Sequence, residues 1–185
     1  MFDLDQCIAE CREALAEGDA RQAVHDIVAH AVSDPAAILR AVGEPERAGL
    51  HRLHHTSELT VLNVVWGPYM TLMPHDHRMW AVIGVYTGAE DNIFWRRDGE
   101  ALKAAGARAL REGDVEQLGA DAIHSVTNPV DRLTGAIHVY GGDFFGEPRS
   151  EWDPQSLTER AYDVERAMRL FEASNARLAE AAATA

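Results

Sequence analysis

The sequence contains only two cysteines, Cys7 and Cys11, and they lie four residues apart. Two thiols supply neither a disulfide framework nor a four-sulfur zinc site. On a helix this spacing puts both side chains on one face. We therefore expect small, buried apolar residues at these positions.

Basic residues are also scarce. The chain has 17 Lys and Arg against 30 Asp and Glu, a formal net charge of -13 and a pI near 5.0. Nucleic acids and anionic membranes attract clustered Lys and Arg, and the adjacent pair Arg96-Arg97 is too short for such a surface. We expect neither a nucleic acid nor a membrane as partner.

Long apolar runs are absent as well. No stretch approaches the roughly 20 apolar residues of a membrane span. The acidic start Met1-Phe2-Asp3-Leu4-Asp5 lacks the basic and apolar regions of a secretory signal. These features predict a cytoplasmic protein.

The 185 residues, 46% of them hydrophobic, suffice for a single domain with a sizeable core. Apolar residues recur at helical spacing over 3–43, which predicts two or three short helices. They recur again beyond Asp153-Pro154, which predicts a long amphipathic helix that packs on the rest of the chain or on a second subunit. We assign 1–47 to a helical segment, 48–150 to a β domain and 151–185 to the C-terminal helix.

Between these helical regions the sequence is rich in Val, Ile, Thr, Trp and Tyr and is broken by Gly, Pro and Asp. This pattern predicts strands at 58–66, 69–74, 79–87, 91–97, 114–118, 122–127 and 134–141. Many short strands without intervening helices indicate an antiparallel sandwich or barrel.

Three histidines on this β region are the best candidates for a functional site. His75 and His77 lie two apart in Pro74-His75-Asp76-His77, and on a strand they share a face while Asp76 points away. His124 lies on a later strand-like segment. Neutral imidazole is the commonest ligand for zinc, iron, nickel and copper. Three ligands on one face leave the other side of an ion open, which suits catalysis.

The spacing of these histidines resembles the two motifs of the cupin superfamily. The first motif resembles Gly67 to Gly88, with His75 and His77 in place, and the second resembles Gly113 to Asn128, with His124 in place. The usual glutamate ligand would fall near Ala81 and is missing. Three histidines without that glutamate resemble the cysteine dioxygenase, or thiol dioxygenase, branch of the superfamily.

Further residues resemble that branch in part. Trp66-Gly67 precedes the first histidines, and Ala136-Ile137-His138-Val139-Tyr140 resembles a Ser-x-His-x-Tyr triad with alanine in the serine position. Arg52 lies near the position of an arginine that binds the substrate carboxylate in this branch, and Arg96 is a rival candidate.

The resemblance implies a mainly β protein: a cupin double-stranded β-helix, or jelly-roll, barrel with N-terminal helices and a C-terminal helix. It implies a thiol dioxygenase that oxidises a small thiol, cysteine or a mercapto acid, to a sulfinate with O2. One Fe(II) per chain would be held by His75, His77 and His124. Tyr140 and His138 would be catalytic, Arg52 would bind substrate, and the protein would be a monomer or a homodimer.

Two other hypotheses remain open at the level of sequence. The first is a cupin metalloenzyme of another class, such as a zinc, nickel or manganese isomerase, lyase or carbon dioxygenase, because Ala136 and the arginines depart from the expected pattern. The second is a non-enzymatic cupin that binds a metal or ligand.

Overall fold

The computed structural model describes residues 2–99 and 101–184 of the protein. The helices in these residues are α1 (Leu4–Ala14), α2 (Ala20–Val32), α3 (Pro35–Val42) and α4 (Val164–Thr184). The strands are β1 (Gly49–His55), β2 (Thr60–Trp66), β3 (Thr71–Asp76), β4 (Ala81–Thr87), β5 (Ala89–Asp98), β6 (Ala101–Arg111), β7 (Val115–Leu118), β8 (Ile123–Thr127), β9 (Thr134–Tyr140), β10 (Ser150–Trp152) and β11 (Glu159–Ala161).

The strands form two antiparallel sheets, with orders β1-β2-β9-β4-β7 and β11-β10-β3-β8-β5-β6. From β2 to β9 the chain crosses to the other sheet at every connection except the β5–β6 hairpin. The last of these strands, β9, returns between β2 and β4, and β8 lies between β3 and β5. This double Greek key is the jelly-roll topology of cupins, so the expected fold class is confirmed.

Three N-terminal helices cover the outside of the first sheet, and each begins with an aspartate cap. Asp3, Asp19 and Asp34 each accept a hydrogen bond from the backbone amide three residues ahead, which satisfies one of the free donors of the first turn. Helix α2 packs on β4, where a Cβ atom at Gly84 would lie 2.4 Å from a methyl group of Val28. A glycine at this position allows the close approach.

Helix α4 lies on the barrel, one of the two packing partners that the sequence left open. Phe171 stacks on Trp66 with 5.5 Å between ring centroids and 22° between planes. Ser174 contacts Gly67, since a Cβ atom there would lie 1.8 Å from the Ser174 hydroxyl oxygen. The helix begins at Val164 and not directly beyond Asp153-Pro154, because β10 and β11 occupy part of the segment 151–185 that was assigned to it. None of the described helices is both long enough and apolar enough to cross a bilayer.

All seven predicted strands are confirmed, with shifts of a few residues at their ends. The strands that sequence analysis missed are β1, β6, β10 and β11. Among them β6 is the longest and is mostly exposed, with only Leu102 and Leu110 buried. Its Ala, Lys and Gly residues have low strand propensity, so pairing with β5 holds it in the sheet.

Candidate metal centre

The three histidines meet inside the barrel. His75 on β3 and His124 on β8 are direct cross-strand partners, with ring centroids 4.6 Å apart. His77 follows the end of β3, where Arg78 adopts a left-handed conformation with φ 58°. One ligand atom from each of the three histidines lies within 4.8 Å of the others, and the residues are only 1–5% exposed. The expected clustering is therefore present.

Hydrogen bonds fix two of the rings for ligation through Nε2. His75 Nδ1 lies 2.9 Å from the carbonyl oxygen of Met73, and His124 Nδ1 lies 2.7 Å from Oδ1 of Asn92. Both partners are acceptors, so each Nδ1 carries the hydrogen and each Nε2 keeps its lone pair. These contacts favour the tautomer that a metal ion requires.

His77 also fits a metal centre. Its Nε2 lies 2.9 Å from Nε2 of His124, while its Nδ1 is buried without a hydrogen-bond partner in the described residues. Two imidazole nitrogens facing each other at this distance can share a hydrogen or converge on a cation. The donor set can hold a metal ion, and it is of the kind used for zinc, iron, nickel or copper.

Burial keeps the three rings neutral, which metal binding requires. Desolvation lowers the pKa of His75 to about 4, although its hydrogen bond to Met73 opposes the shift. Desolvation also lowers the pKa values of His77 and His124 well below the usual range, with the neighbouring histidines adding to the effect. At neutral pH the site therefore offers uncharged ligands.

Asp76 faces away from this cluster, as the alternation of side chains on a strand predicted. Its carboxylate accepts a hydrogen bond at 2.8 Å from the backbone amide of Ser150 and forms an ion pair at 2.8 Å with Nε of Arg78. Asp76 thus ties β3 to the start of β10 and does not belong to the donor set.

Tyr140 and His138 lie beside the histidines on β9. The Tyr140 hydroxyl is 3.0 Å from His138 Nδ1, and the Tyr140 ring is 5.0 Å from that of His77, measured between centroids. Burial raises the pKa of Tyr140 above its ordinary value, so the phenol stays protonated at neutral pH. The two residues face the cluster, as their two-residue spacing predicted.

A narrow cavity, with a free volume of about 20 Å³, surrounds the histidines. Its walls are predominantly apolar and aromatic. Besides His75, His77, His124, His138 and Tyr140, they consist of Leu50, Val64, Trp66, Leu72, Val126, Phe144, Tyr162 and Phe171. Phe171 belongs to α4, so the C-terminal helix completes the cavity.

An arginine that sequence analysis did not single out, Arg149, contacts two wall residues of this cavity. Arg52 and Arg96 are both exposed, and neither lines the cavity. The guanidinium carbon of Arg149 lies 4.0 Å from the centroid of Phe144 and 4.3 Å from that of Tyr162. Its Nη1 donates to the carbonyl oxygen of Phe144 at 3.0 Å. Its charge helps to lower the pKa of His75 and of His77.

Sequence analysis also missed two polar residues behind the site, Glu90 and Asn92. They are fully buried, at 0% and 1% exposed, and as alternate residues of β5 they point to the same side. That alternation of polar residues in a barrel strand was a usable signal. Arg149 lies in a loop without a recognisable motif, so no comparable signal identified it.

No protein-family model matches the chain. The fold is similar to that of a double-stranded β-helix cupin from Methanocaldococcus jannaschii, with TM-score 0.46, 9% identity and coverage of 55% of this chain and 85% of that one. It is also similar to a conserved protein with a double-stranded β-helix domain from Klebsiella pneumoniae, with TM-score 0.44, 12% identity and coverage of 65% and 88%. Oxalate decarboxylase from Bacillus subtilis gives TM-score 0.41, 16% identity and coverage of 49% and 22%.

Proposed function

We propose that this protein is a mononuclear non-haem iron thiol dioxygenase that converts a small mercapto acid to its sulfinate with O2. The main support is the arrangement of His75, His77 and His124 as three neutral ligands beside the hydrogen-bonded pair Tyr140 and His138. The resemblance of their spacing to the thiol dioxygenase branch of the cupins supports the same conclusion.

Fe(II) would be held by Nε2 of His75, Nε2 of His124 and a nitrogen of His77. When bound, iron would supply the redox chemistry that adds both atoms of O2 to the thiol sulfur. The protein contributes the geometry and the polarity of the cavity. Its apolar walls, including Leu72 and Val126, exclude water and strengthen the electrostatic interactions inside.

Tyr140 would act on the oxygen side of the reaction. Burial raises the pKa of Tyr140, so the phenol keeps its proton. Its single O–H donates to His138 Nδ1 at rest and can turn toward the reacting oxygen. His138 Nδ1, 3.0 Å away, holds the hydroxyl at one position in the cavity. The pair therefore holds a proton next to the atoms that react.

Arg149 takes the role of carboxylate partner in this proposal, in place of Arg52. A guanidinium presents a planar fork of donors that matches a carboxylate. The Arg149 fork is held between the rings of Phe144 and Tyr162, both of which line the cavity. Arg149 is not itself a wall residue but contacts two that are, whereas Arg52 is exposed and does not line the cavity.

The cavity favours a mercapto acid over cysteine. None of the described residues that line it carries a carboxylate, so the ammonium group of cysteine would enter without a charged partner. Burying an unpaired charge is expensive. We therefore expect 3-mercaptopropionate to be a better substrate than cysteine and much better than cysteamine, which lacks the carboxylate.

Metal analysis and oxygen consumption test the function together. Protein purified without added metal is analysed for its elements, then loaded with Fe(II) and supplied with 3-mercaptopropionate, mercaptosuccinate, cysteine or cysteamine. We expect about one iron per chain and rapid oxygen uptake with a mercapto acid. Protein shown to hold Fe(II) that consumes no oxygen with any of the four thiols would overturn the proposal.

A metalloenzyme of another class is the second candidate, and one observation favours it. Ala136 replaces the serine expected beside His138, and three imidazoles also suit zinc or nickel. Zinc or nickel in the purified protein, together with inactivity of the iron-loaded form, would support this candidate over the first.

A further inference from the structure

Glu90 is a carboxylate buried behind the metal centre, and the proposed chemistry does not use it. The residue is 0% exposed. Among the described residues it forms no ion pair with lysine or arginine. The one basic side chain within 4 Å of its carboxylate is His138. A buried carboxylate without a permanent cation is costly. Such a residue calls for a specific role.

Three side-chain donors surround this carboxylate. Trp66 Nε1 donates to Oε2 at 2.7 Å, and Asn92 Nδ2 donates to Oε1 at 3.0 Å. His138 Nε2 lies 3.5 Å from Oε2 and is buried without a hydrogen-bond partner in the described residues. Burial favours the neutral acid, but these donors outweigh it and lower the pKa of Glu90. The carboxylate is therefore ionised, accepts hydrogen bonds from Trp66 and Asn92, and faces His138 Nε2 on its third side.

The orientation of His138 follows from this arrangement. An ionised carboxylate can only accept, so the nitrogen that faces it, His138 Nε2, carries a hydrogen. The other nitrogen, Nδ1, then faces the Tyr140 hydroxyl at 3.0 Å. Ala136, two residues before His138 on the same face of β9, has no polar atom that could hold the ring.

We propose that Glu90 is the positioning residue of the Tyr140–His138 pair: it holds His138 with Nε2–H toward its own carboxylate and Nδ1 toward the Tyr140 hydroxyl. The inference deepens the proposed dioxygenase function and rests on it for its catalytic consequence. The orientation itself is independent of the reaction.

A second contact extends the same network to the metal centre. Asn92 donates to Glu90 and, through Oδ1, lies 2.7 Å from Nδ1 of the ligand His124. The chain of contacts Tyr140–His138–Glu90–Asn92–His124 thus joins the proton-holding pair to a ligand. Metal content must be measured in every Glu90 variant, since this path offers a second way to lose activity.

The tautomer of His138 is the direct test. Nitrogen-15 NMR of histidine side chains, recorded on the full-length protein loaded with diamagnetic Zn²⁺, distinguishes Nε2–H from Nδ1–H. The signal of His138 is identified by its loss in His138→Gln. We expect Nε2–H in the wild-type protein. A bare Nε2 at His138 would overturn the proposal without any Glu90 variant, so the test does not depend on whether the variant folds.

The isosteric variant Glu90→Gln tests the cause. Its amide group donates as well as accepts, so His138 Nε2 no longer needs a hydrogen, and we expect the tautomer to shift toward Nδ1–H. Asp91→Asn is the matched control: Asp91 is the next residue on β5 and carries a partly exposed carboxylate that pairs with Arg111 at 3.0 Å. It should leave the His138 signal unchanged. An unchanged His138 tautomer in Glu90→Gln would contradict the proposal.

Activity supplies the second readout. With iron content equal to wild type, Glu90→Gln should lower kcat about 10- to 100-fold, leave KM for 3-mercaptopropionate unchanged and alter the pH profile of kcat. A wild-type kcat and pH profile in Glu90→Gln would overturn the inference. Loss of iron without a change of His138 tautomer would also overturn it, because Glu90 would then act through Asn92 on His124. Inactivity of wild-type protein toward every thiol would instead refute the proposed function and leave the NMR result standing.

Discussion

Oδ1 of Asn92 lies 2.7 Å from Nδ1 of His124, so a neutral amide on β5 fixes the tautomer of a ligand on β8. Partners of this kind orient a ligating histidine and raise its basicity. The candidate metal centre therefore extends beyond the three histidines to a residue that sequence analysis did not single out.

The first prediction concerns metal affinity. His124→Ala should abolish stoichiometric iron binding, because only two imidazoles would then remain to hold the ion. His75→Ala and His77→Ala should have the same effect. Asn92→Ala should weaken iron binding about 10- to 100-fold while all three ligands stay in place. Competition with a chelator, followed by elemental analysis, measures both effects. His51→Ala, which alters an exposed histidine, is the control, and full metal occupancy in His124→Ala would refute the three-histidine site.

The second prediction separates chemistry from metal binding. Tyr140→Phe removes the hydroxyl that lies 3.0 Å from His138 but keeps the ring that packs on Phe144 at 4.4 Å between centroids. Iron content should stay at the wild-type level, since the phenol is not a proposed ligand. Turnover of 3-mercaptopropionate should fall by about one to four orders of magnitude. Unchanged turnover would show that the Tyr140 hydroxyl has no part in the reaction and that the ring serves only in packing.

The strands of the barrel could be predicted from sequence because their residues alternate or are fully apolar. β2 and β9, for example, are buried along their whole length and rich in β-branched residues. β1 escaped prediction because His51, Arg52, His54 and His55 make it look like a polar loop. It is held at a sheet edge by pairing with β2, a contact that a local pattern does not encode.

The candidate site was predicted to a similar extent. The His75–His77 and His138–Tyr140 pairs follow from two-residue spacing on strands, which is a local property. His124 follows from the resemblance of Gly113 to Asn128 to the second cupin motif. The position of Arg149 could not be predicted from local spacing. The loop after β9 places its guanidinium over Phe144, and the residue after β11, Tyr162, packs on it as well. Only the tertiary fold brings these three side chains together.

The third prediction concerns substrate recognition. Arg149→Ala should raise KM for 3-mercaptopropionate roughly 10- to 100-fold, because a hydrogen bond to a charged group contributes about 1.5–3 kcal/mol. The weak oxidation of cysteamine, which has no carboxylate, should change little. Arg52→Ala is the matched control and should resemble wild type with both thiols. The opposite result, a defect in Arg52→Ala and none in Arg149→Ala, would show that Arg52 and not Arg149 binds the substrate carboxylate.

The fourth prediction concerns the stability of the metal-free protein as a function of pH. Burial lowers the pKa of His75 to about 4, whereas an unfolded histidine titrates near 6.5. Between these values the unfolded chain binds a proton that the folded protein does not. The free energy of unfolding should therefore fall as the pH drops below 6.5, by up to about 1.4 kcal/mol per pH unit for this histidine.

Urea unfolding of chelator-treated protein between pH 6.5 and 5 measures this slope, in a range above the ordinary pKa values of carboxylates. His77 and His124, whose pKa values are also lowered by burial, should add to it. His75→Gln should reduce the slope by the contribution of one proton, up to about 1.4 kcal/mol per pH unit. His51→Gln, which alters an exposed histidine, should leave the slope unchanged. A bound metal ion should raise the stability at every pH in this range without changing the slope, because the three histidines bind no proton in either folded form while the unfolded chain takes up the same protons. Equal stability of the metal-free protein at pH 6.5 and pH 5 would contradict burial of neutral histidines at the centre of the barrel.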